Sequence, residues 1–334
     1  MRFAFDPDTL QLRDAVRSVL ARECTAARVR AAWASDDGRV PGLWSHLAAL
    51  GVPGMLAPAE AGGLGLAEVE LVLVLEESGR HAVPEPVVEV VAVGVPLLRD
   101  ARSPALRAVA SGERIVAVQL PGAPFVVGAD AAHVLVLLHE GEVHLVDRSD
   151  VALEAHPSID GTRRLHSVRW SPSRETRVLD RAAATPLLAD AVDRAAVGFA
   201  AQLVGLARAM IDRTVDYVKA RHQFGKPVGS FQAVKHHLAD ALVAVEMAAP
   251  SVYRAAWSLA HHTPDRAVHA SMAKALASDA AALAARKALQ CHGAIGYAYE
   301  NDLHLWMKRA WALGADAPWH RARVERAIFE DGGT

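Results

Sequence analysis

Cysteine is almost absent: Cys24 and Cys291 are the only two in 334 residues. Two thiols cannot build a disulfide framework, so the sequence points to a reducing cytoplasm. An excess of one charge is absent too, since 36 Lys and Arg face 38 Asp and Glu for a net charge of -2. That removes the electrostatic case for nucleic acid. No apolar run approaches the roughly 20 residues of a membrane span, and the richest stretch, residues 87–98, contains Glu89 and Pro96. The opening MRFAFDPDTLQLRDAV has no apolar signal core, because Asp6, Asp8, Arg13 and Asp14 interrupt it. A metal-ligand pattern is missing as well. His236-His237 and His261-His262 are neighbours, and neighbours on a helix point about 100° apart, so neither pair faces one ion. What remains is a chain with 52% hydrophobic and 22% charged residues, the composition of a soluble globular protein with two or three domains.

Three zones differ in pattern. Residues 1–112 read as a helical domain. Leu10, Leu12, Val16, Val19 and Leu20 repeat with a helical period over 9–22, a second helix covers 43–50, and a third covers 67–80. Residues 113–180 switch to short β-branched runs at 115–120, 125–127, 133–138, 142–146 and 165–170, punctuated by glycines. Glu140-Gly141 reads as a hairpin turn. This is a small β domain, and the stretch 171–180 is its boundary with the next zone. Residues 181–334 return to long, Ala-rich helices at 187–221, 231–257 and 267–292, with a fourth starting at 303. Pro250 is expected to kink or interrupt the second of these. Long helices on short loops predict an antiparallel bundle. The fold class is therefore mainly α with a small central β domain.

Chemistry concentrates in RHQFGKPVGSFQ, residues 221–232. Physically this is a helix end, a turn, and a new helix. Gly225 and Gly229 permit tight turns and Pro227 stops the first helix. Arg221 and Lys226 bring positive charge beside Phe224 and Phe231, and the start of the following helix suits a phosphate. An ordinary interhelical turn with exposed basic residues fits the same pattern. Elsewhere, Cys291 beside His292 lacks a third group for nucleophilic chemistry and reads as a small core residue, and Trp170 reads as core. Gly62-Gly63-Leu64-Gly65 lacks the strand–turn–helix context of a dinucleotide site.

The stretch from Arg221 to Gln232 resembles the R-x-x-F-G signature of the acyl-CoA dehydrogenase family. So does Gln290-Cys291-His292-Gly293-Ala294-Ile295-Gly296-Tyr297, which is similar to the family's Q-x-x-G-G-x-G-[FY] with Ala294 in place of the second glycine. Pro58–Gly65 resembles the P-E-x-x-G-G-x-G turn, and the zone order matches over nearly the whole chain. The resemblance implies FAD shared between subunits, with the bundle turn holding the adenosine diphosphate part. Carried over by position, Arg221 would pair with the pyrophosphate and Phe224 would line the adenine end. Gln232 and Gln290 would offer amide hydrogen bonds, and Gly293 would let the backbone approach.

Two family features are missing. The α-proton of the acyl-CoA thioester needs a carboxylate base. Positional counting puts the two family base positions near Ala317 and Ala195, with Asp316 and Asp193 as the nearby carboxylates. The flavin-ring loop T-E-x-x-x-G-S-D is also absent, its place taken by Val118-Gln119-Leu120-Pro121-Gly122-Ala123-Pro124-Phe125. This combination resembles the short subunit of actinobacterial heterotetrameric (α2β2) acyl-CoA dehydrogenases of steroid side-chain degradation. It implies a homologous catalytic partner subunit, an acyl-CoA substrate and electron transfer to an electron-transfer flavoprotein. Two alternatives stay open: a self-sufficient homomeric enzyme using Asp193 or Asp316, and a non-enzymatic scaffold that has lost flavin.

Overall fold

The computed structural model describes residues 4–330. It opens with helices α1 (Pro7–Glu23), α2 (Ala26–Ala34), α3 (Leu43–Ala49) and α4 (Glu68–Arg80), then a π-helical segment Val88–Gly94, α5 (Val95–Asp100) and α6 (Leu106–Ala110). Asp6 caps α1 by accepting from the Thr9 amide at 2.9 Å, and Val16 and Leu20 bury the inner face. The β region follows as β1 (Val116–Val118), β2 (Val126–Val127), β3 (Val134–His139), β4 (Glu142–Asp147), β5 (Ala152–His156), β6 (Leu165–Arg169) and β7 (Arg177–Leu179). These strands form two small sheets, β1-β3-β4-β7 and β2-β6-β5. The hairpin between β3 and β4 turns at Glu140 and Gly141, both at positive φ (48° and 83°), as a primed turn requires.

Helix α7 (Arg181–Ala220) is capped by Asp180, whose side chain accepts from the Ala183 amide. A two-stranded ribbon, β8 (His222–Gln223) and β9 (Lys226–Pro227), leads to α8 (Gln232–Ala260), α9 (Arg266–His292), α10 (Leu303–Leu313) and α11 (Ala317–Phe329). Helix α7 is long and apolar enough to cross a membrane, although no apolar run in the sequence had pointed to a span, and 89% of its most apolar window is buried inside the protein. It is the central core helix, packed on α4, α8 and α9. Gly205 makes the α4 contact possible: a Cβ there would stand 1.9 Å from the Glu76 carbonyl oxygen.

Several expectations are corrected. Helix α8 is not interrupted at Pro250 but continues through it. Pro250 lies on the exposed face, where water satisfies the carbonyl that loses its partner. Strand β7 lies inside the stretch read as a boundary, and α2, β5 and α11 were not foreseen. Cys291 is half-buried rather than core.

Candidate functional site

The sequence motifs meet at the C-terminal ends of α7 and α9. Arg221 ends α7, its amide bonded to the Tyr217 carbonyl and its own carbonyl accepting from Val228 at 2.8 Å. The ribbon turn places Phe224 and Gly225 both at positive φ, 54° and 76°. For phenylalanine this left-handed conformation is strained, and the ring is 90% exposed. Its one aromatic neighbour among the described residues is Phe231, met edge-on at 6.1 Å. The backbone thus holds a large apolar ring out from the surface, a cost that the fold itself does not recover.

Helix α9 ends beside this turn. Gly293 sits at φ 64° and ψ -145°, a conformation open essentially to glycine alone. Tyr217 stacks on His292 with centroids 4.4 Å apart. His292 shares a hydrogen bond between its Nδ1 and the Ala288 carbonyl oxygen at 2.9 Å, and burial lowers its pKa, so it stays neutral. Between the two helix ends lies an open cleft of about 760 Å³, lined by Tyr217, Arg221, Gln223, Gln290, Cys291 and Gly293 among others. Burial pushes the Cys291 thiol up, which keeps it protonated and unreactive.

Of the residues singled out from sequence, Arg221, Gln290 and Gly293 line this one cleft. Phe224 projects from the turn beside it. Gln232 is exposed at the first position of α8, whose N-terminus has no side-chain cap. Among the described residues, the side chains of Arg221, Gln232 and Gln290 make no hydrogen bond or ion pair. The free Arg221 guanidinium and Gln290 amide share the cleft as donors suited to a diphosphate, whereas Gln232 and the uncapped start of α8 are not among its lining residues. No cluster of His, Cys, Asp and Glu able to hold a metal is found among the described residues.

Asp193 and Asp316 lie elsewhere. Asp193 is buried on α7 and accepts from Arg323 Nη1 at 2.5 Å. Asp316 pairs with the buried Lys274 ammonium and faces His320 at 3.5 Å. Partial burial opposes ionisation of Asp316, but the His320 hydrogen bond and the Lys274 charge hold its pKa down to about 2. A carboxylate so acidic and so engaged is a poor proton acceptor near neutrality. In the β region, the Gln119 side chain is committed to the Leu138 amide at 3.0 Å.

A second cleft lies between the β region and α7 and α10, lined in part by Val118, Leu120, Ala123, Pro124 and Phe125 of the stretch that stands where the resemblance puts the flavin-ring loop. Its floor is an ion pair, Arg163 Nη1 to Glu89 Oε1 at 3.1 Å. The partners are 74 residues apart, beyond the reach of any local pattern, and the only sequence sign was Glu89 interrupting an apolar run.

Comparisons with known proteins agree with this architecture. The family profile for the acyl-CoA dehydrogenase N-terminal domain matches residues 6–108, and that for the C-terminal domain matches residues 186–314. The acyl-CoA dehydrogenase IpdE2 of Mycobacterium tuberculosis is 36% identical over 304 residues, covering 90% of this chain and 89% of the relative. Its namesake in Mycolicibacterium smegmatis is 34% identical, covering 90% and 91%. Among solved structures, the ChsE4-ChsE5 complex of Mycobacterium tuberculosis superposes with a TM-score of 0.88 at 21% identity, covering 99% of each chain. Butyryl-CoA dehydrogenase of Megasphaera elsdenii does so at 0.87 and 19%, covering 98% and 100%. At those identities the likeness is one of fold.

Proposed function

The chain belongs to the acyl-CoA dehydrogenase family, a flavin-dependent family, and from that premise we propose that it is the subunit completing the FAD site of a homologous catalytic partner. The observation that carries this reading is the set of unpartnered polar groups in the cleft at the ends of α7 and α9, beside an exposed Phe224 held at positive φ. Arg221 grips the pyrophosphate, because a guanidinium offers several donors in a fixed fork. Gln290 and Gln232 donate amide hydrogen bonds, and Gly293 lets the backbone approach. Phe224, with 90% of its surface exposed, covers the adenine end and is itself covered once the partner is in place.

When bound, the flavin supplies the hydride acceptor for α,β-dehydrogenation of an acyl-CoA thioester. The α-proton needs a base, and Asp193 and Asp316 are both committed to ion pairs, so the base resides on the partner. The absence of the ring-binding loop supports the same division of labour. The assembly is an α2β2 heterotetramer acting in the cytoplasm, in β-oxidation of a lipid or steroid side-chain thioester, with electrons leaving to an electron-transfer flavoprotein. The likeness to a two-component complex and the family match support this.

Co-expression with a full-length homologue encoded nearby, followed by size-exclusion chromatography and a flavin spectrum, tests the proposal. The expected result is a yellow, active complex, and a colourless or poorly soluble chain when made alone, since an exposed obligate interface invites aggregation. A yellow, active homo-oligomer of this chain alone would overturn it.

A further inference from the structure

One aromatic pair joins the ends of α7 and α9. Tyr217 lies in the last turn of α7, and its carbonyl accepts from the Arg221 amide at 2.8 Å, which puts it one turn before the guanidinium. His292 is the last residue of α9, two places after Gln290 and immediately before Gly293. The two rings are nearly parallel, with centroids 4.4 Å apart and planes at 14°. Among the described residues, the only hydrogen bond between 213–221 and 288–298 runs from the Tyr217 hydroxyl to the His292 carbonyl oxygen. At 3.4 Å it is long and weak. No ion pair links the two segments among the described residues. Ring contact, rather than polar contact, spans the gap between the two helix ends.

The surroundings of the pair set it apart from core packing. Tyr217 and His292 both line the cofactor cleft, and both also line a recess of about 410 Å³ with Arg213, Asp216 and Glu300. The stack is a partition with a hollow on either side, whereas side chains that fill an interior have few voids beside them. Asp216 and Glu300, behind the partition, are exposed and form no ion pair among the described residues, so the recess repels a diphosphate. His292 is the fixed member. Its Nδ1–H donates to the Ala288 carbonyl oxygen at 2.9 Å, and Gly296 packs so closely that a Cβ there would stand 2.9 Å from the His292 Cβ. Tyr217 is thus set against a platform held by the end of α9 itself.

We propose that Tyr217 and His292 are a positioning pair: their stack holds the end of α7 at a set distance from the end of α9, so that the Arg221 guanidinium meets the same diphosphate as Gln290 and the Gly293 backbone. The pair places Arg221 and takes no part in the chemistry. Placement matters because hydrogen bonds weaken steeply off line, and a forked contact needs two of them aligned at once. The inference rests on the cofactor reading proposed above.

Flavin affinity of the co-expressed complex, read from flavin released on dilution, is the measurement, with thermal unfolding alongside. Tyr217→Phe keeps the ring and loses only the long hydroxyl contact, so it holds flavin within about twofold of the parent. Tyr217→Leu removes the stack and weakens flavin about three- to tenfold, the worth of an aromatic pair. His292→Asn does the same, although its amide can still donate to the Ala288 carbonyl, and Tyr217→Leu/His292→Asn binds flavin no more weakly than either single variant. The double variant Tyr217→Leu/Arg221→Ala separates positioning from general stability. Loss of the stack adds less than about twofold once the guanidinium is gone, whereas independent effects multiply. Full flavin affinity in Tyr217→Leu, an equal loss in Tyr217→Phe, or losses that multiply in the Arg221→Ala background overturn the positioning role. If Tyr217→Leu keeps flavin while Arg221→Ala loses it, the positioning role fails alone; if Arg221→Ala also keeps it, the cofactor reading fails as well.

Discussion

Where α7 and α9 begin, Asp190 pairs with Arg266, Asp193 with Arg323, Arg194 with Glu68 and Lys274 with Asp316. Where the same helices finish, Arg221, Gln232 and Gln290 have no partner among the described residues, and Phe224 stands in solvent. Solvation explains the difference. At the first end the charges are wholly or partly buried, and a buried charge is tolerated only when paired. At the second end the polar groups are exposed, so leaving them free costs little and keeps them available for a ligand. Charge serves cohesion at one end of the bundle and, on the proposed reading, recognition at the other, and the two candidate carboxylates fall at the cohesive end.

The comparison is sharpened by a carboxylate that breaks the pairing rule. Glu85 accepts from the Val40 amide through Oε1 at 3.1 Å, but its Oε2 has no partner among the described residues. Burial pushes its pKa up from 4.5 to about 7. A carboxyl more easily protonated in the folded state loses stability as pH rises from its unfolded value to its folded one, here from about 4.5 to about 7. Glu85→Gln removes that loss. We expect thermal unfolding to show the variant more stable than the parent by about 2–3 kcal/mol at pH 8, and indistinguishable from it near pH 4. An unchanged pH profile would mean that Glu85 is solvated after all.

Next in size is Asp316→Asn. It strands the buried Lys274 ammonium with the Leu313 carbonyl, 2.7 Å away, as its remaining acceptor. The expected loss is about 2 kcal/mol, discounted because Asp316 is half-exposed. Turnover of the assembled complex should stay within about tenfold for this variant and for Asp193→Asn, since removal of a true base costs about 10²–10⁴-fold. A folded, flavin-loaded variant that loses about a thousandfold would place the base on this chain and move a cohesive residue into the chemistry.

The smallest effect is at the other end. Phe224→Gly relieves a left-handed phenylalanine and should stabilise the isolated turn by about 1 kcal/mol, while flavin retention in the complex falls. Gain of stability with loss of cofactor, read by thermal unfolding and flavin absorbance, marks a residue kept for recognition. Loss of both would mark it as structural.

Much of this was legible beforehand for reasons that can be named. The change of period from helical to alternating and back marks the β region, and the Glu140-Gly141 turn is encoded locally. The Arg221 and Gln290 motifs are short and lie at helix ends, which the bundle brings together. What stayed hidden depends on distant parts of the chain or on weak local signals. Strand β5 reads Ala-Leu-Glu-Ala-His, without a β-branched residue. Helix α11 buries only Ala317 and His320, so it has no apolar stripe to announce it, and it is tied to α7 through Arg323 and Asp193, 130 residues apart. The apolar stretch 87–98, broken only by Glu89 among charged residues, has no period from which a π-helix could be read. Phe224's strain is likewise invisible until φ is known.

Flavin stoichiometry of the co-expressed complex carrying Arg221→Ala tests the division between the two ends most directly. We predict that the variant complex assembles and loses flavin on dilution, with affinity down about ten- to a hundred-fold for a contact of about 1.5–3 kcal/mol. Arg221→Lys should restore only part, because an ammonium lacks the guanidinium fork. Full flavin occupancy in the alanine variant would contradict the assignment of the free end of the bundle to cofactor recognition.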